Sequence, residues 1–265
     1  MIAAGCREQA PPAPPSARAR IVSTSPSMTE SVFALGKGAS LVGRSSFCDF
    51  PAEAESVEVI GGFSDPSLEK VLALSPTLVV GERGPAGQAF VDRLASYGIP
   101  CWFPKMDSLD EIKDALRTLG SRLDASAEAE EVVLRIDRDR ASIAASASAP
   151  TAVLLFDWRP LVAAGPGTFP DELLRAAGAK NPVVGVGKYP KLSTEGLLAL
   201  DPDIVIDGSG GMYTESVESL VASIPGLEAL RANKQGRLKR LTGTAALRPG
   251  PRAGRGVAEL ASLLS

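Results

Sequence analysis

The chain has 265 residues, of which 45% are hydrophobic and 22% are charged, as in a globular protein that buries a substantial core and exceeds one ordinary domain. Its formal net charge is only −3, so the composition indicates no basic surface for nucleic acid, and no apolar run reaches the roughly 20 residues that span a bilayer. The chain contains no histidine, which excludes the Ser-His-Asp and Cys-His catalytic arrangements and the H-E-x-x-H zinc motif.

The N-terminal stretch differs in kind from the rest of the chain. It reads MIAAGCREQAPPAPPSARAR, with small apolar residues up to Cys6 and then a Pro-, Ala- and Arg-rich run without periodicity, which is typical of a flexible tether. AAGC is similar to the end of a bacterial lipoprotein signal, although the charged and long apolar parts of such a signal are missing. We therefore expect residues 1–19 to be a signal remnant or lipoprotein-like tether that is lipidated at Cys6. The alternative is a disordered terminus with an incidental cysteine.

The first folded elements follow directly. RIVSTSPSMTESVFALG predicts a strand over residues 20–23 and a turn at residues 25–27. A helix comes next, and Ser27 with Glu30 three residues later predicts a capping box at its start. LVGRSS then predicts a second strand, with FCDFP as the loop at its end.

One segment occurs twice: SLEKVLALSPTLVV begins at Ser67 and STEGLLALDPDIVI begins at Ser193. Each serine can cap a helix, and Pro76 or Pro202 then ends it, because a proline pushes the preceding residue out of the α region. The β-branched run that follows predicts a buried strand. The copies lie 126 residues apart, far more than the period of a solenoid or propeller, so the repeated unit is a whole α/β lobe.

The remaining segments complete two similar halves. GERGPAGQAFVDRLASYGIPCWFP predicts a helix and a strand, and residues 108–149 have an almost entirely helical pattern. TAVLLFDW opens the second half with a strand, and the segments after it correspond in order to those of the first half. We assign residues 20–120 to a first α/β lobe, 121–150 to a connecting helix and 151–265 to a second α/β lobe.

No motif replaces the missing histidine chemistry. GVGKYP lacks the spacing of a phosphate loop, and DGSGG is not a nucleophile elbow. The predicted strand ends instead carry aromatic and polar residues, and ligands of α/β sheets bind beyond those ends, so a large and partly apolar ligand is indicated. For Phe47 or Phe63 taken alone, a core or rim position is the simpler interpretation. The candidate ligand-binding residues are Ser25, Phe47, Phe50, Phe63 and Arg83 in the first lobe and Trp158, Tyr189, Tyr213 and Arg248 in the second.

Several segments together carry a family resemblance, since RIVSTSPSMTESVFALG, FCDFPAEA, IGGFSDPSLEKVLALSPTLVV, the central helix and STEGLLALDPDIVI occur in that order. The chain resembles the periplasmic binding proteins that feed ABC importers of cobalamin, haem and ferric siderophores. The resemblance implies an α/β fold of two Rossmann-like lobes with parallel sheets, joined by a single long rigid helix, with a ligand cleft between the lobes. It also implies a monomeric periplasmic or extracytoplasmic binding protein, not an enzyme, without cofactor, bound metal or nucleic-acid partner. Membrane attachment would be through a lipid tether only.

The glutamate of each repeated segment has two interpretations. Glu69 and Glu195 lie in the first turn of their helices, where a carboxylate complements the helix dipole by about 0.3–1 kcal/mol. In the family that the chain resembles, an acidic residue at this place on each lobe meets arginines of the ABC importer permease dimer. The resemblance therefore implies that this pair docks the protein onto its permease.

The resemblance favours cobalamin, a corrinoid, as the ligand. FCDFP and GGFSDPSLE are most similar to the cobalamin-binding branch, although Glu82 stands where a tryptophan would be expected. Haem is an alternative, for which Tyr189 or Tyr213 could supply an axial ligand. A ferric siderophore is another, because Arg83, Arg159 and Arg248 could face an anionic chelate.

Two further alternatives concern the cysteines and the function class. If Cys6 is lipidated, Cys48 and Cys101 are the two remaining cysteines. In an exported protein they can form a disulfide, or both can be buried free thiols. A two-lobed Rossmann-like enzyme, such as a glycosyltransferase or a nitrogenase-like cofactor protein, would need a catalytic base and a nucleotide or metal site. The sequence shows neither.

Overall fold

Two β-sheets organise the chain in the computed structural model, which describes residues 19–143, 149–185 and 187–265. The first sheet is parallel throughout and has the strand order β2-β1-β3-β4. Its strands are β1 (Ile21–Ser23), β2 (Leu41–Arg44), β3 (Leu78–Val80) and β4 (Cys101–Trp102). We call this sheet and its helices the first lobe.

The second sheet is mixed rather than parallel. Its strand order is β7-β6-β5-β8-β9, with β8 and β9 parallel to β5 but β6 antiparallel to both of its neighbours. Only Arg159 and Pro160 connect β5 to β6, and so short a connection permits a hairpin but not a parallel crossover. The strands of this second lobe are β5 (Ala152–Trp158), β6 (Leu161–Ala163), β7 (Lys191–Leu192), β8 (Ile204–Asp207) and β9 (Leu238–Arg240).

Helices surround the two sheets and connect them. In the first half these are α1 (Pro26–Ala34), α2 (Leu68–Ala73), α3 (Gln88–Ser96) and α4 (Leu109–Arg122). The second half adds α5 (Ser126–Ala141), α6 (Phe169–Ala176), α7 (Thr194–Leu200), α8 (Val217–Ala222), α9 (Arg231–Lys234) and α10 (Ala253–Leu264). Within the described ranges, no helix combines the length and apolarity needed to cross a bilayer.

The first helix starts differently from its sequence-based prediction. Ser25 is the N-cap, its side chain accepting a hydrogen bond from the Met28 amide at 3.3 Å, and Pro26 is the first helical residue. Proline fits this position because its ring presets φ and its missing N–H is not needed there. The predicted capping box was therefore wrong. Glu30 lies in the middle of the helix and is buried.

The repeated segment folds twice in the same way, as predicted. Ser67 and Ser193 cap α2 and α7 by accepting from the amides three residues later, at 3.3 and 3.0 Å. The residue before each proline, Ser75 and Asp201, leaves the helix in the left-handed region with φ of 45° and 38°. Strands β3 and β8 then begin at equivalent positions, so each lobe contains one complete copy.

The predicted helical region at 108–149 consists of two helices with a break between them. Asp124 has φ of 51°, and Gly120 of α4 lies so near Ala129 of α5 that a Cβ there would come within 2.6 Å of the alanine methyl. The connecting helix α5 is thus shorter than the predicted span of 121–150. Part of that span, residues 144–148, lies outside the described residues.

A continuous hydrophobic core holds the two lobes together. It includes Ile21 and Val80 of the first sheet, Ile136 of α5, and Leu154 and Val257 of the second lobe in one cluster of buried side chains. Interiors packed in this way deform little. The connecting helix is therefore a rigid joint, and hinge motion of the lobes should be small.

Of the two alternatives for the cysteines, the structure shows free thiols and no disulfide between Cys48 and Cys101. Cys48 follows β2 and Cys101 begins β4, and these strands are the opposite edges of a four-stranded sheet, roughly 14 Å apart by strand spacing. A disulfide needs Cα atoms within about 7 Å. Both cysteines are free, and the Cys48 Sγ accepts a hydrogen bond from Thr29 Oγ1 at 3.1 Å.

Candidate ligand-binding site

The loops at the strand ends of the two lobes meet across a cleft. Lys188 of the second lobe forms an ion pair with Asp107, which precedes α4. Elsewhere along the cleft, Arg248 pairs with Asp49 and Arg252 pairs with Glu30. The first two contacts join loops of the first half to segments of the second half, and the third joins α1 to the residue before α10.

A buried ion-pair network closes the cleft on its hinge side. Arg252 donates to both carboxylate oxygens of Glu30 at 2.6 and 2.7 Å, and Arg248 donates to the same carboxylate at 3.3 Å. The Glu30 side chain is only 2% exposed. Arg252 also lies over the ring of Phe50 at 4.2 Å, in a cation–π contact. Glu30 and Arg252 were not among the sequence-predicted site residues, because no local pattern signals a pairing across 222 residues.

Arg248 is therefore less available to a ligand than the sequence suggested. Its side chain is 15% exposed and is held by Glu30 and Asp49, with 3.1 Å between Arg248 Nη2 and Asp49 Oδ2. The hydrogen bond from Arg248 lowers the pKa of Asp49 below its usual value, so this carboxylate remains charged and paired at neutral pH. The arginine helps to form the cleft wall.

Exposed apolar side chains concentrate at the cleft loops of both lobes. Phe47 is 59% exposed and Phe50 is 42% exposed in the first lobe, and Tyr189 is 49% exposed in the second. Val184 and Met212, on second-lobe loops, are exposed by 78% and 65% and were missed by the sequence analysis. Scattered apolar exposure is ordinary, and these five side chains are candidates for ligand contact because they lie on loops of both lobes.

Two other candidates of the first lobe border the same loops. Phe63 is half-buried on a tight loop that a β-bridge between Gly61 and Pro66 closes. Arg83 is exposed, and its backbone amide donates to the Pro104 carbonyl at 3.2 Å. The structure thus places both at the rim of the first sheet.

Trp158 and Ser25 both lie inside the protein. Trp158 is 1% exposed, and its indole N–H donates to Asp207 Oδ1 at 3.0 Å. It is buried because β5 continues into the hairpin with β6 instead of ending in an open loop. Ser25 is fully buried as the cap of α1. In this structure both side chains are buried and have protein partners, and their predicted ligand contacts remain predictions.

Tyr213 and Arg159 form a small cluster on the second lobe. The Tyr213 hydroxyl donates a short hydrogen bond to Asp157, and this bond raises the pKa of the phenol. The Arg159 guanidinium lies 5.8 Å from the centre of the Tyr213 ring and donates to Ser223 Oγ at 2.7 Å. Both side chains therefore already have protein partners.

Tyr189 follows Lys188, whose carbonyl contacts Gly165. The Gly165 amide donates to the Lys188 carbonyl at 2.8 Å, and a Cβ on Gly165 would lie equally close to that oxygen, so only glycine permits the contact. The Tyr189 ring packs edge-on against Phe156, with 5.3 Å between centroids. Surrounding protein raises the pKa of Tyr189 to about 12, and the nearby Glu82 and Asp107 carboxylates act in the same direction.

Glu82 is the most perturbed carboxyl group at the cleft. It lies half-buried after β3, and burial raises its pKa to about 7. The Ser27 and Ser25 hydroxyls oppose this shift, Asp107 adds to it, and Arg248 opposes it weakly. Ser27 Oγ is buried and has no hydrogen-bond partner among the described residues, so its stabilisation of the ionised form is small. From the sequence, Glu82 was notable only because it stands where a tryptophan would be expected.

A separate cavity of about 570 Å³ lies behind the ion-pair network. It is lined by α1, the start of α10 and the connecting helix, with Phe33, Arg135 and Arg255 among its residues. Phe50 and Arg252 line it too, so they separate this cavity from the cleft. It is not at the strand ends, and we do not assign the ligand to it.

The two glutamates of the repeated segments lie outside the cleft. Glu69 and Glu195 are exposed in the first turns of α2 and α7. Neither forms an ion pair with another described residue. Cys6, the predicted lipidation site, lies outside the described residues.

Two vitamin B12-binding proteins are similar to this chain over most of its length. The chain is 30% identical over 197 residues to the vitamin B12-binding protein of Salmonella paratyphi A, covering 72% of this chain and 73% of that protein. It is 26% identical over 208 residues to the vitamin B12-binding protein of Photorhabdus laumondii, covering 76% and 74%.

Solved structures show the same fold. The periplasmic haem-binding protein RhuT of Roseiflexus, in apo form, has a TM-score of 0.82 and 25% identity, covering 94% of this chain and all of that one. The periplasmic vitamin B12-binding protein BtuF of Vibrio cholerae has a TM-score of 0.75 and 22% identity, covering 92% and 96%.

The sequence model of one protein family, described as periplasmic binding protein, matches residues 21–245 of this chain. Proteins of this family bind a ligand outside the cytoplasm and deliver it to an ABC importer, and they are substrate-binding proteins rather than enzymes. The two sheets, the single connecting helix and the facing strand-end loops agree with that description. The chain belongs to the periplasmic binding protein family.

Proposed function

We propose that this protein captures a corrinoid in the cleft and delivers it to an ABC importer permease. The observation that carries the proposal is the nature of the exposed groups at the cleft. Phe47 and Phe50 on one lobe and Tyr189 and Met212 on the other offer apolar faces, while the cations Lys188 and Arg248 are already paired with carboxylates. A corrinoid combines a broad apolar ring with neutral amide side chains and needs few counter-charges.

The same charges argue against an anionic ferric siderophore. Such a chelate requires several unpaired cations in the cleft. Arg248 is held by two carboxylates and Arg159 by Ser223 and the Tyr213 ring. Of the three arginines considered, only Arg83 has no side-chain partner among the described residues.

Haem is the second candidate because Tyr189 is a half-exposed tyrosine at the cleft. A tyrosine binds ferric iron as a phenolate, and the environment of Tyr189 disfavours that form, with Glu82 and Asp107 nearby and a pKa of about 12. Tyr213 is engaged with Asp157. These features make haem less suitable than a corrinoid, although the iron would itself promote ionisation.

A visible absorption experiment discriminates among the three ligand classes. The purified protein would be incubated separately with cyanocobalamin, hemin and a ferric hydroxamate siderophore, and then separated from free ligand. We expect cyanocobalamin to be retained in a one-to-one ratio. Retention of hemin with a ferric tyrosinate band, and no retention of cyanocobalamin, would contradict the proposal and leave the fold assignment unchanged.

The docking role of Glu69 and Glu195 is part of the same proposal. Their equivalent positions on opposite lobes and their free, exposed carboxylates support contact with permease arginines. We also retain lipidation of Cys6 and a monomeric state as predictions. A mass measurement on the membrane fraction and sedimentation of the purified protein would test them.

A further inference from the structure

The loop after β2 carries two exposed phenylalanines on either side of a buried anchor. Cys48 is fully buried, its amide donates to the Ser45 carbonyl at 3.1 Å, and its Sγ accepts from Thr29 Oγ1 at 3.1 Å. Phe47 and Phe50, by contrast, are 59% and 42% exposed. The anchor fixes the middle of the loop, and the placement of the two rings depends on further contacts.

Arg248 holds this loop from the second half of the chain. Its guanidinium donates to both carboxylate oxygens of Asp49, at 2.5 and 3.1 Å, in the forked geometry that makes an arginine–carboxylate pair strong and directional. The same guanidinium approaches the Phe47 carbonyl oxygen, with 3.5 Å between that oxygen and Nη2. One side chain therefore contacts two positions of the loop, and one of them is the backbone of Phe47.

Arg248 is itself fixed in place. Its side chain is 15% exposed, and Nη1 also donates to the buried Glu30 carboxylate at 3.3 Å. Two residues further on, Gly250 packs so near the start of α1 that a Cβ there would come within 3.4 Å of the Ser27 carbonyl oxygen. A long side chain that is already immobilised in the free protein needs no further ordering when a ligand binds. The arginine is therefore a rigid support for the loop.

The two phenylalanines are supported in different ways. The Arg252 guanidinium lies 4.2 Å from the centre of the Phe50 ring, so Phe50 has a ring contact that does not involve Arg248. Among the described residues, the Phe47 ring takes part in no aromatic or cation–π contact. The placement of the Phe47 ring thus depends on its backbone, and so on the contacts of Arg248.

We propose that Arg248 is a positioning residue, which through its fork on Asp49 and its contact with the Phe47 carbonyl holds the Phe47 ring where the ring meets the ligand. The identity of the ligand, a corrinoid, rests on the proposed function. An aromatic face that is fixed before binding costs less to order in the complex. Asp49 has a second effect, because its carboxylate occupies the guanidinium that an anionic ligand would otherwise use.

A double-mutant cycle with cyanocobalamin separates positioning from direct contact. Arg248→Met should weaken the affinity measured by calorimetry by no more than the roughly two- to tenfold expected for Phe47→Ala, because a support cannot contribute more than the contact it supports. In a Phe47→Ala background the same substitution should weaken the affinity by less than about twofold. An arginine that contacted the ligand directly would instead lose the same factor in both backgrounds.

Variants of Asp49 provide a second test that leaves the buried arginine in place. The Asp49 side chain is 57% exposed, so Asp49→Asn disturbs the fold little while it removes the charge that Arg248 binds. This variant should also lose affinity for cyanocobalamin, and Asp49→Glu should restore most of it because the ion pair can form again. The matched control is Asp114→Asn, which breaks the exposed pair with Arg117 on α4 and should leave the affinity unchanged.

A measurement without ligand tests the loop itself. The eight phenylalanines would be replaced by 4-fluorophenylalanine, and the ¹⁹F resonance of Phe47 would be identified by its loss in Phe47→Ala. We expect Arg248→Met and Asp49→Asn to shift or broaden this resonance, whereas Asp114→Asn should leave it unchanged. An unchanged Phe47 resonance in both loop variants overturns the positioning role, whatever the ligand is.

The outcomes separate this inference from the ligand assignment. Additive losses in the cycle assign Arg248 to direct ligand contact, and an Arg248→Met variant that binds cyanocobalamin as tightly as the wild type leaves it a purely structural role. Either result overturns the inference and leaves the proposed function standing. If cyanocobalamin does not bind the wild type, the proposed function fails. The same cycle with hemin, together with the fluorine resonance of Phe47, then decides the role of Arg248.

Discussion

Replacing Glu30 by glutamine tests whether the buried ion pairs hold the two lobes together. Glutamine keeps the volume of the side chain, so the change removes charge and leaves the packing nearly intact. Arg252 can keep one hydrogen bond to the amide oxygen, but it loses the second acceptor and its counter-ion and otherwise retains only Thr244 Oγ1 at 2.9 Å, while Arg248 retains Asp49. The substitution therefore leaves one buried guanidinium without a counter-ion.

The size of the loss in the free energy of unfolding follows from how deeply Glu30 and Arg252 are buried. Breaking a buried pair costs about 3–5 kcal/mol, and the 15% exposure of the Arg252 side chain places this case near the lower figure. We expect a loss of about 3 kcal/mol in the free energy of unfolding. For a chain of this size that corresponds to a fall of roughly 6–12 °C in Tm.

Urea denaturation of Glu30→Gln, followed by circular dichroism, measures the loss. Glu172→Gln is the matched control, because Glu172 pairs with Arg175 on the surface and should cost less than about 1 kcal/mol. A double-mutant cycle with Arg252→Met should show that removing both partners costs less than the sum of the single changes. Equal stability of Glu30→Gln and Glu172→Gln would refute the reasoning.

Three further predictions follow from the site. Phe47→Ala should weaken cyanocobalamin binding roughly two- to tenfold, measured by calorimetry, because it removes an exposed aromatic face of the cleft. The control is Tyr97→Ala, which changes an equally exposed aromatic residue elsewhere and should not alter the affinity. The double variant Glu69→Ala, Glu195→Ala should abolish cyanocobalamin uptake into vesicles that contain the permease, while its affinity for cyanocobalamin in solution stays unchanged. Uptake at the wild-type rate would exclude docking through this pair. Thiol counting on the denatured, unreduced protein should find both Cys48 and Cys101 reactive. If neither thiol reacts, the two cysteines form a disulfide, which would contradict the fold described above.

Local patterns in the sequence predicted much of the fold. The repeated segment gave the caps at Ser67 and Ser193 and the start of the strands β3 and β8, because capping and proline effects act over a few residues. The cap of α1 was misplaced by two residues, since Ser25 and Ser27 are both suitable and only Pro26 decides between them. The antiparallel strand β6 was missed because its hairpin depends on a two-residue connection.

The candidate site was less predictable than the fold. Phe47 and Phe50 were proposed because they follow a predicted strand, Tyr189 was proposed with the residues of the second lobe, and the structure leaves all three exposed. The burial of Trp158 was not predicted because it depends on a partner in another strand, Asp207. The network around Glu30 and the unpaired acid Glu82 depend on contacts between distant segments, which composition and spacing do not encode.

Cyanocobalamin binding tests the central claim most directly. Isothermal titration calorimetry near neutral pH should give saturable one-to-one binding of cyanocobalamin with micromolar or tighter affinity. Hemin titrated in the same way should bind more weakly, since Tyr189 has carboxylates rather than cations beside it. No detectable binding of cyanocobalamin together with tight binding of hemin would contradict the account.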